Sequence, residues 1–372
     1  MKIVAIETQI IRVPADLGAA PRAFGGVSWA TQDTLFVRVI TDAGIEGWGE
    51  GFGHACLPAT RAAFDTQVGP AALGQDARDI RGVMHRLSQM LHLFGRNGPL
   101  VYALSALDIA LWDIAGKAAG LPLWRLLGGT PVDGLSAYAS LLRYSEPALV
   151  AAACERALAR GFGAIKLHEI DVPQVEAARA AVGPGVPIML DTNCPWSVDH
   201  AIDMARRLQP SDLTWLEEPV WPPEDFPGLA RVRREGGIKI SAGENAAGLQ
   251  DFRAQFDAGA LDIAQPSVAK IGGVTEVMKI AALAEARGVR LIPHCAYFGP
   301  GWLASLHLSA TLAPTSPFER LFVDLEANPY HELVLAKDGM VRVPDGPGLG
   351  RDPDGDVLKR YRLGDVTVLR AA

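Results

Sequence analysis

Beyond Gly129 the sequence alternates short β-rich runs with amphipathic helical stretches, and this repeat constrains the fold more than any other feature. The pairs are 164–167 with 172–181, 188–190 with 198–208, 213–216 with 226–232, 238–241 with 249–258, 261–264 with 274–287, and 289–292 with 302–311. Successive βα units build parallel strands joined by right-handed crossovers. Runs at 135–138 and 321–323 bring the strand count near eight, so a (β/α)8 barrel or a close variant is expected over an open sheet. Upstream, 4–13, 34–40 and 45–49 read as an antiparallel meander, with Thr41-Asp42-Ala43-Gly44 as a turn. Pro14 to Ser28 reads as a mobile loop, and 78–91 and 100–119 as helices, the second stopped by Gly120 and Pro122. The β-rich tail from Gly339 to Ala372 is expected to return to the meander.

Composition narrows the partners. With 35 Lys and Arg against 42 Asp and Glu, the formal charge is −7, and no basic run offers the footprint that a phosphate backbone requires. Neither nucleic acid nor a membrane is therefore expected as a partner. The opening Met1-Lys2-Ile3-Val4-Ala5-Ile6-Glu7 alternates like a strand and lacks a signal peptide's apolar stretch, which points to the cytoplasm. Asp108 and Asp113 interrupt the most apolar segment before it reaches the length of a membrane span. Cys56, Cys154, Cys194 and Cys295 are scattered without CxxC spacing and read as packing residues.

In a parallel barrel, chemistry sits at the C-terminal ends of strands, so polar residues that close an apolar run are the informative ones. They are Lys166 and His168, Asp191 and Asn193, Glu217 and Glu218, Glu244 and Asn245, Ser267, and His294. From His168 through Asp191, Glu217, Glu244 and Ser267 to His294 the intervals are 23, 26, 27, 23 and 27 residues, each one βα unit. These side chains should converge on one mouth. Asp191, Glu217 and Glu244 would then form a ring of three carboxylates, whose repulsion a hard divalent cation relieves, and oxygen-only ligands favour Mg²⁺. Lys166 and His168 share one side of their strand, and His294 faces them across the barrel. Bases flanking a metal-held carboxylate suit abstraction of the proton α to that carboxylate.

These residues resemble the enolase superfamily, specifically its mandelate racemase and muconate lactonizing enzyme group. The resemblance rests on Gly161-Phe-Gly-Ala-Ile-Lys-Leu-His168, Leu190-Asp-Thr-Asn193, Trp215-Leu-Glu-Glu-Pro219, Ala242-Gly-Glu-Asn245, Gln265-Pro-Ser267 through Gly273, and Ile292-Pro-His294. The helical stretch Ala103 to Gly116 and the tail Pro344 to Gly350 extend it over nearly the whole chain. It implies an α/β fold, a modified TIM barrel (β/α)7β with an α+β N-terminal capping domain. The divisions would be 1–127 for the cap, 128–335 for the barrel and 336–372 for a segment returning to the cap. It implies Asp191, Glu217 and Glu244 as Mg²⁺ ligands and Lys166 as the charge-stabilising lysine of a Lys-x-Lys pair. Loops near 17–28 and 51–59 would select substrate, with Arg22, Phe24, His54, Tyr297 and Asn193 as contacts. Glu218, Asn245 and Ser267 would support the site from behind, and a homo-oligomer is implied.

The sequence departs from the family pattern in three places. His168 replaces the second lysine of the pair, and imidazole can serve as the base there. Ser267 stands where racemase-like members carry the Asp that supports the opposite His, which makes His294 a better acid than base. On the last strand no acid stands at the expected position: Phe322 falls there, with Asp324 and Glu326 as substitutes, and Lys270 reads as structural or outward-facing. The expected activity is a Mg²⁺-dependent dehydratase of an acid sugar or related α-hydroxy carboxylate, in which His168 or Lys166 takes the α-proton and His294 helps the β-hydroxyl leave. The alternatives are a racemase, epimerase or cycloisomerase of a carboxylate, and a metal-binding barrel without catalysis.

Overall fold

A computed structural model describes residues 1–18 and 29–371. Strands β1 (Ile3–Asp16), β2 (Thr31–Thr41) and β3 (Glu46–Gly51) form the antiparallel meander. The first strand thus runs through Pro14 to Asp16, which the sequence assigns to a loop. Pro14 forms the last pair of the ladder to β2, near the strand's end, where its carbonyl still accepts from the Glu326 amide at 3.0 Å.

Eight parallel strands follow: β4 (Gly134–Ser140), β5 (Ile165–Leu167), β6 (Ile188–Asp191), β7 (Leu213–Glu217), β8 (Ile240–Ala242), β9 (Ile263–Ala264), β10 (Arg290–Leu291) and β11 (Phe318–Leu321). Their order is β10-β9-β8-β7-β6-β5-β4-β11, so the sheet curls until the seventh and eighth strands of the series face each other. Seven helices fill the crossovers, including Pro147–Ala159, which the sequence reading leaves unassigned. The architecture is the (β/α)7β barrel. The last strand lies three residues earlier than 321–323, and that shift changes which acid it presents.

β12 (Asp324–Leu325) pairs with β1, β13 (Met340–Arg342) pairs with β4, and β14 (Arg362–Arg370) returns to β1 as the tail was expected to do. The helix Pro99–Ala119 is long and apolar enough to cross a membrane, but its most apolar window is 78% buried against the rest of the protein. On one side β3 presents Gly47 and Gly49 to it. A Cβ at Gly49 would lie 1.9 Å from the Ala106 carbonyl oxygen, and one at Gly47 2.1 Å from that of Ala110. The alternating glycines of Glu46-Gly-Trp-Gly-Glu-Gly51 thus let strand and helix backbones touch. On the other side Asp108 accepts from the Thr275 amide at 3.0 Å, at the start of the barrel helix Gly273–Ala286. This helix therefore fixes the meander over the barrel mouth.

Candidate active site

Lys166 is the centre of the site because its strand delivers it, fully buried, among acids from three other strands. Its Nζ lies 2.6 Å from Glu217 Oε1, 3.1 Å from Asp191 Oδ2 and 3.1 Å from Glu319 Oε1. Burial alone would lower this ammonium, but Glu217, Glu319 and Asp191 hold it well above the usual lysine range. Lys166 is therefore a fixed positive charge.

Glu319 was not anticipated. It lies on β11, 25 residues beyond His294, within the spacing of the other strand ends, and is the single acid inside Phe318-Glu-Arg-Leu321. Its Oε1 also accepts from Ser140 Oγ at 2.9 Å, and its Oε2 from the Cys295 amide at 2.9 Å, which bridges the gap between the last two strands. The substitutes named from sequence lie elsewhere. Asp324 is exposed and paired with Arg160 at 2.7 Å, and Glu326 meets Arg360 and Tyr361. Phe322 packs against Phe162.

His168 and His294 both face the cavity, and their ring nitrogens have different partners. His168 Nδ1 contacts the Leu141 carbonyl, which can only accept, so this nitrogen carries the proton and the neutral ring has its lone pair on Nε2. Asp191 Oδ2 lies 3.4 Å from that Nε2. Burial opposes the charged ring, but Asp191 and the Leu141 carbonyl raise its proton affinity. His294 Nε2 points to Glu244 Oε2 at 2.7 Å and carries its proton there, while its Nδ1 receives the Ser267 hydroxyl at 2.9 Å. Ser267 in turn hydrogen-bonds the Tyr297 hydroxyl.

The remaining acids are crowded. Asp191 Oδ1 accepts from the Asn193 amide, and Asn193 holds φ +55° as the chain leaves β6. Glu217 Oε2 accepts from Trp215 Nε1 and Gln265 Nε2, both at 3.0 Å. Glu218 accepts from Asn245 Nδ2 at 2.6 Å. Lys270 is buried and turned inward, 3.6 Å from Glu244 and 3.2 Å from Asn245 Oδ1, with its ammonium 4.8 Å from the Phe52 ring centre. It is thus not outward-facing, because two polar partners and an aromatic face all lie on the inner side.

The carboxylate ring does not close as expected. Among the described residues no three His, Cys, Asp or Glu side chains converge tightly enough to enclose an ion. Lys166 stands between Asp191 and Glu217, and Glu244 turns to His294, since buried acids each take the nearest cation. The donor set still fits a hard divalent ion. Asp191 Oδ2 is buried and makes ion contacts but no aligned hydrogen bond. Burial, with Asp191 and Glu319 nearby, pushes Glu217 up to about 7, and burial with Glu244 and Asp191 pushes Glu218 up to about 8. The site therefore holds more buried acid than its ammonium groups neutralise, and every candidate ligand is an oxygen.

A cavity lies above these groups. Its lining includes His168, His294, Asn193, Glu244, Glu319, Arg143 and Tyr297 from the barrel and His54 from the meander side. Arg22 and Phe24 lie outside the described residues.

Comparison with known proteins covers both halves of the chain. Residues 5–128 match the mandelate racemase / muconate lactonizing enzyme N-terminal domain, and residues 149–357 the enolase C-terminal domain-like family. D-galactarolactone cycloisomerase of Agrobacterium fabrum is 34% identical, over 98% of this chain and 100% of its own. D-galactonate dehydratase of Ralstonia nicotianae is 33% identical, over 88% of this chain and 91% of its own. A racemase from Streptomyces coelicolor, solved with bound magnesium, superposes with a TM-score of 0.84 at 33% identity, covering 97% of this chain and 100% of that one.

Proposed function

Because the chain belongs to the mandelate racemase / muconate lactonizing enzyme family of the enolase superfamily, we propose that it is a Mg²⁺-dependent carbon–oxygen lyase of acid-sugar carboxylates. Asp191, Glu217 and Glu244 would hold the ion, which supplies Lewis-acid stabilisation of the substrate carboxylate. The relatives that dehydrate D-galactonate or bind magnesium support this reading.

The observation that carries it is the pair of complementary imidazoles. His168 Nε2, in the neutral form of the ring and with Asp191 beside it raising its proton affinity, takes the proton α to the carboxylate. The fixed Lys166 ammonium stabilises the negative charge that develops on the carboxylate oxygens. His294 Nε2–H donates to the β-oxygen as its carbon–oxygen bond breaks, and the electron pair of the α C–H bond becomes the new double bond. A departing hydroxyl leaves as water, and the enol product relaxes to a 2-keto acid. If the β-oxygen belongs to a ring of the substrate, the same proton movements open the ring without loss of water. That variant is an isomerisation, and the cycloisomerase relative favours keeping it as the second reading. Racemisation fits less well, because His294 already carries its proton toward the site and its other nitrogen is supported by a hydroxyl.

Division of the chain at 127/128 and 335/336, a homo-oligomeric state and a cytoplasmic location belong to the same proposal. The test is incubation of the Mg²⁺-loaded protein with acid sugars in D₂O. A 2-keto product is expected, lost by at least about 100-fold in H168Q. Deuterium at Cα with no keto product, or undiminished turnover in H168Q, overturns the assignment.

A further inference from the structure

We propose that the meander side of the cavity is built for an uncharged substrate tail, so that the substrate carries a single carboxylate, and that His54 Nε2–H is the donor that grips this tail. This rests on the reading above for the end that holds the carboxylate.

The basic groups of the cavity sit at one end. Lys166, His168, His294 and Arg143 gather at the barrel end, whereas the opposite wall is made by Trp29, Gln32, Asp33, Glu50, Phe52 and His54. Among the described residues that wall brings no Lys or Arg to the cavity. Asp33 is already bound by Arg12, at 2.8 Å and 2.6 Å. Glu50 is buried and accepts from the Gly301 amide at 2.8 Å, and burial pushes its carboxyl up to about 8.

The tautomer of His54 is fixed. Trp29 Nε1–H donates to His54 Nδ1 at 2.6 Å, and an indole nitrogen has nothing to accept with. The single proton of the neutral ring therefore sits on Nε2, and burial lowers the ring's proton affinity further. That Nε2 is buried and has no hydrogen-bond partner among the described residues, and the ring lines the cavity. The residue also holds φ +37°, a left-handed conformation that a non-glycine residue adopts only when its surroundings impose it. An indole edge, a strained backbone and an unmatched donor together describe a group set in place for a ligand acceptor.

A second carboxylate at this end would find no Lys or Arg among the described residues of that wall, and burying it unpaired is costly. A hydroxyl, ring ether or lactone oxygen would instead accept from Nε2–H, with carbon faces resting on the Trp29 and Phe52 rings.

The test compares acids that differ only at the far carbon. D-galactonate against galactarate, and D-gluconate against D-glucarate, are titrated into the Mg²⁺-loaded protein by calorimetry, and each is followed for α-deuterium in D₂O. The monoacids should bind about 30-fold more tightly than their diacid counterparts. H54L should weaken monoacid binding about 10-fold, and H54Q, whose side-chain amide can offer an equivalent N–H, should recover most of it. A diacid bound as tightly as its monoacid overturns the inference, whether or not deuterium enters. Unchanged binding in H54L overturns the role of His54. Monoacids that bind preferentially without exchange support the inference and overturn the proposed reaction, and binding of neither class overturns both.

Discussion

Glu319 shows how one carboxylate can serve structure and chemistry together. Both its oxygens accept, from Ser140 and Lys166 on one side and from the Cys295 amide on the other. An amide at this position keeps a single acceptor oxygen, so its NH₂ must face a donor that it cannot satisfy. E319Q is therefore expected to lower stability by about 2 kcal/mol, read by chemical denaturation, and to reduce turnover about 100-fold as Lys166 loses an anchoring charge. Ser267 acts more narrowly, by holding the tautomer of His294. In S267A the ring can exchange its N–H between nitrogens, and kcat should drop about 10-fold while KM stays near its original value. A change confined to KM would assign Ser267 to substrate binding instead. That residues from Lys166 to His294 gather at one end of the barrel was legible because residue type and spacing agree in each βα unit. Tautomers were not, since they depend on partners such as the Leu141 carbonyl, which no spacing reveals.

At the scale of elements, most strands and helices could be read because burial on both faces gives parallel strands compact apolar runs. The last strand could not. Phe318-Glu-Arg-Leu321 carries two charges in four residues, so the more apolar 321–323 drew the assignment, and Glu319 was lost with the register. The two charges are tolerated because Glu319 points to Lys166, while Arg320 turns outward to the Val334 carbonyl and lies over the Phe298 and Trp302 rings. The glycines of β3 were visible in the sequence, but their purpose was not, since it depends on a helix some sixty residues further on. G49A makes that dependence measurable. Its Cβ would overlap the Ala106 carbonyl oxygen, and the backbones must separate, at a cost of about 3 kcal/mol. The expected result is a lower denaturation midpoint with an unchanged slope. A midpoint within experimental error of the parent protein would show that strand and helix can part at no cost.

Across the whole molecule, three buried ionisable groups bind the meander side to the barrel, and their titration sets how firmly the two are joined. Glu50 reaches the N-terminus of the helix Pro300–Leu312, Asp108 reaches Thr275, and His307 of that same barrel helix receives the Trp124 amide at 3.3 Å. Burial pushes Glu50 up to about 8 and Asp108 up to about 7, and pulls His307 down to about 4. The folded protein keeps the Glu50 and Asp108 protons after an unfolded chain has released them. Their contribution is therefore full below the ordinary carboxyl range and is lost as pH rises through about 7 to 8. His307 acts in the opposite sense. An unfolded histidine takes its proton near 6.5 and the folded one only near 4, so stability falls as pH drops through that window, by about 3 kcal/mol. E50Q removes one carboxyl that must ionise, so its stability relative to the parent should improve steadily from pH 5 to pH 9. H307Q should flatten the loss between pH 6.5 and pH 4. Denaturation curves for the parent and both variants at pH 4.5, 7 and 9 check both signs. A parent curve that is flat over this range would mean that water reaches these groups, and that meander and barrel part more readily than their packing indicates.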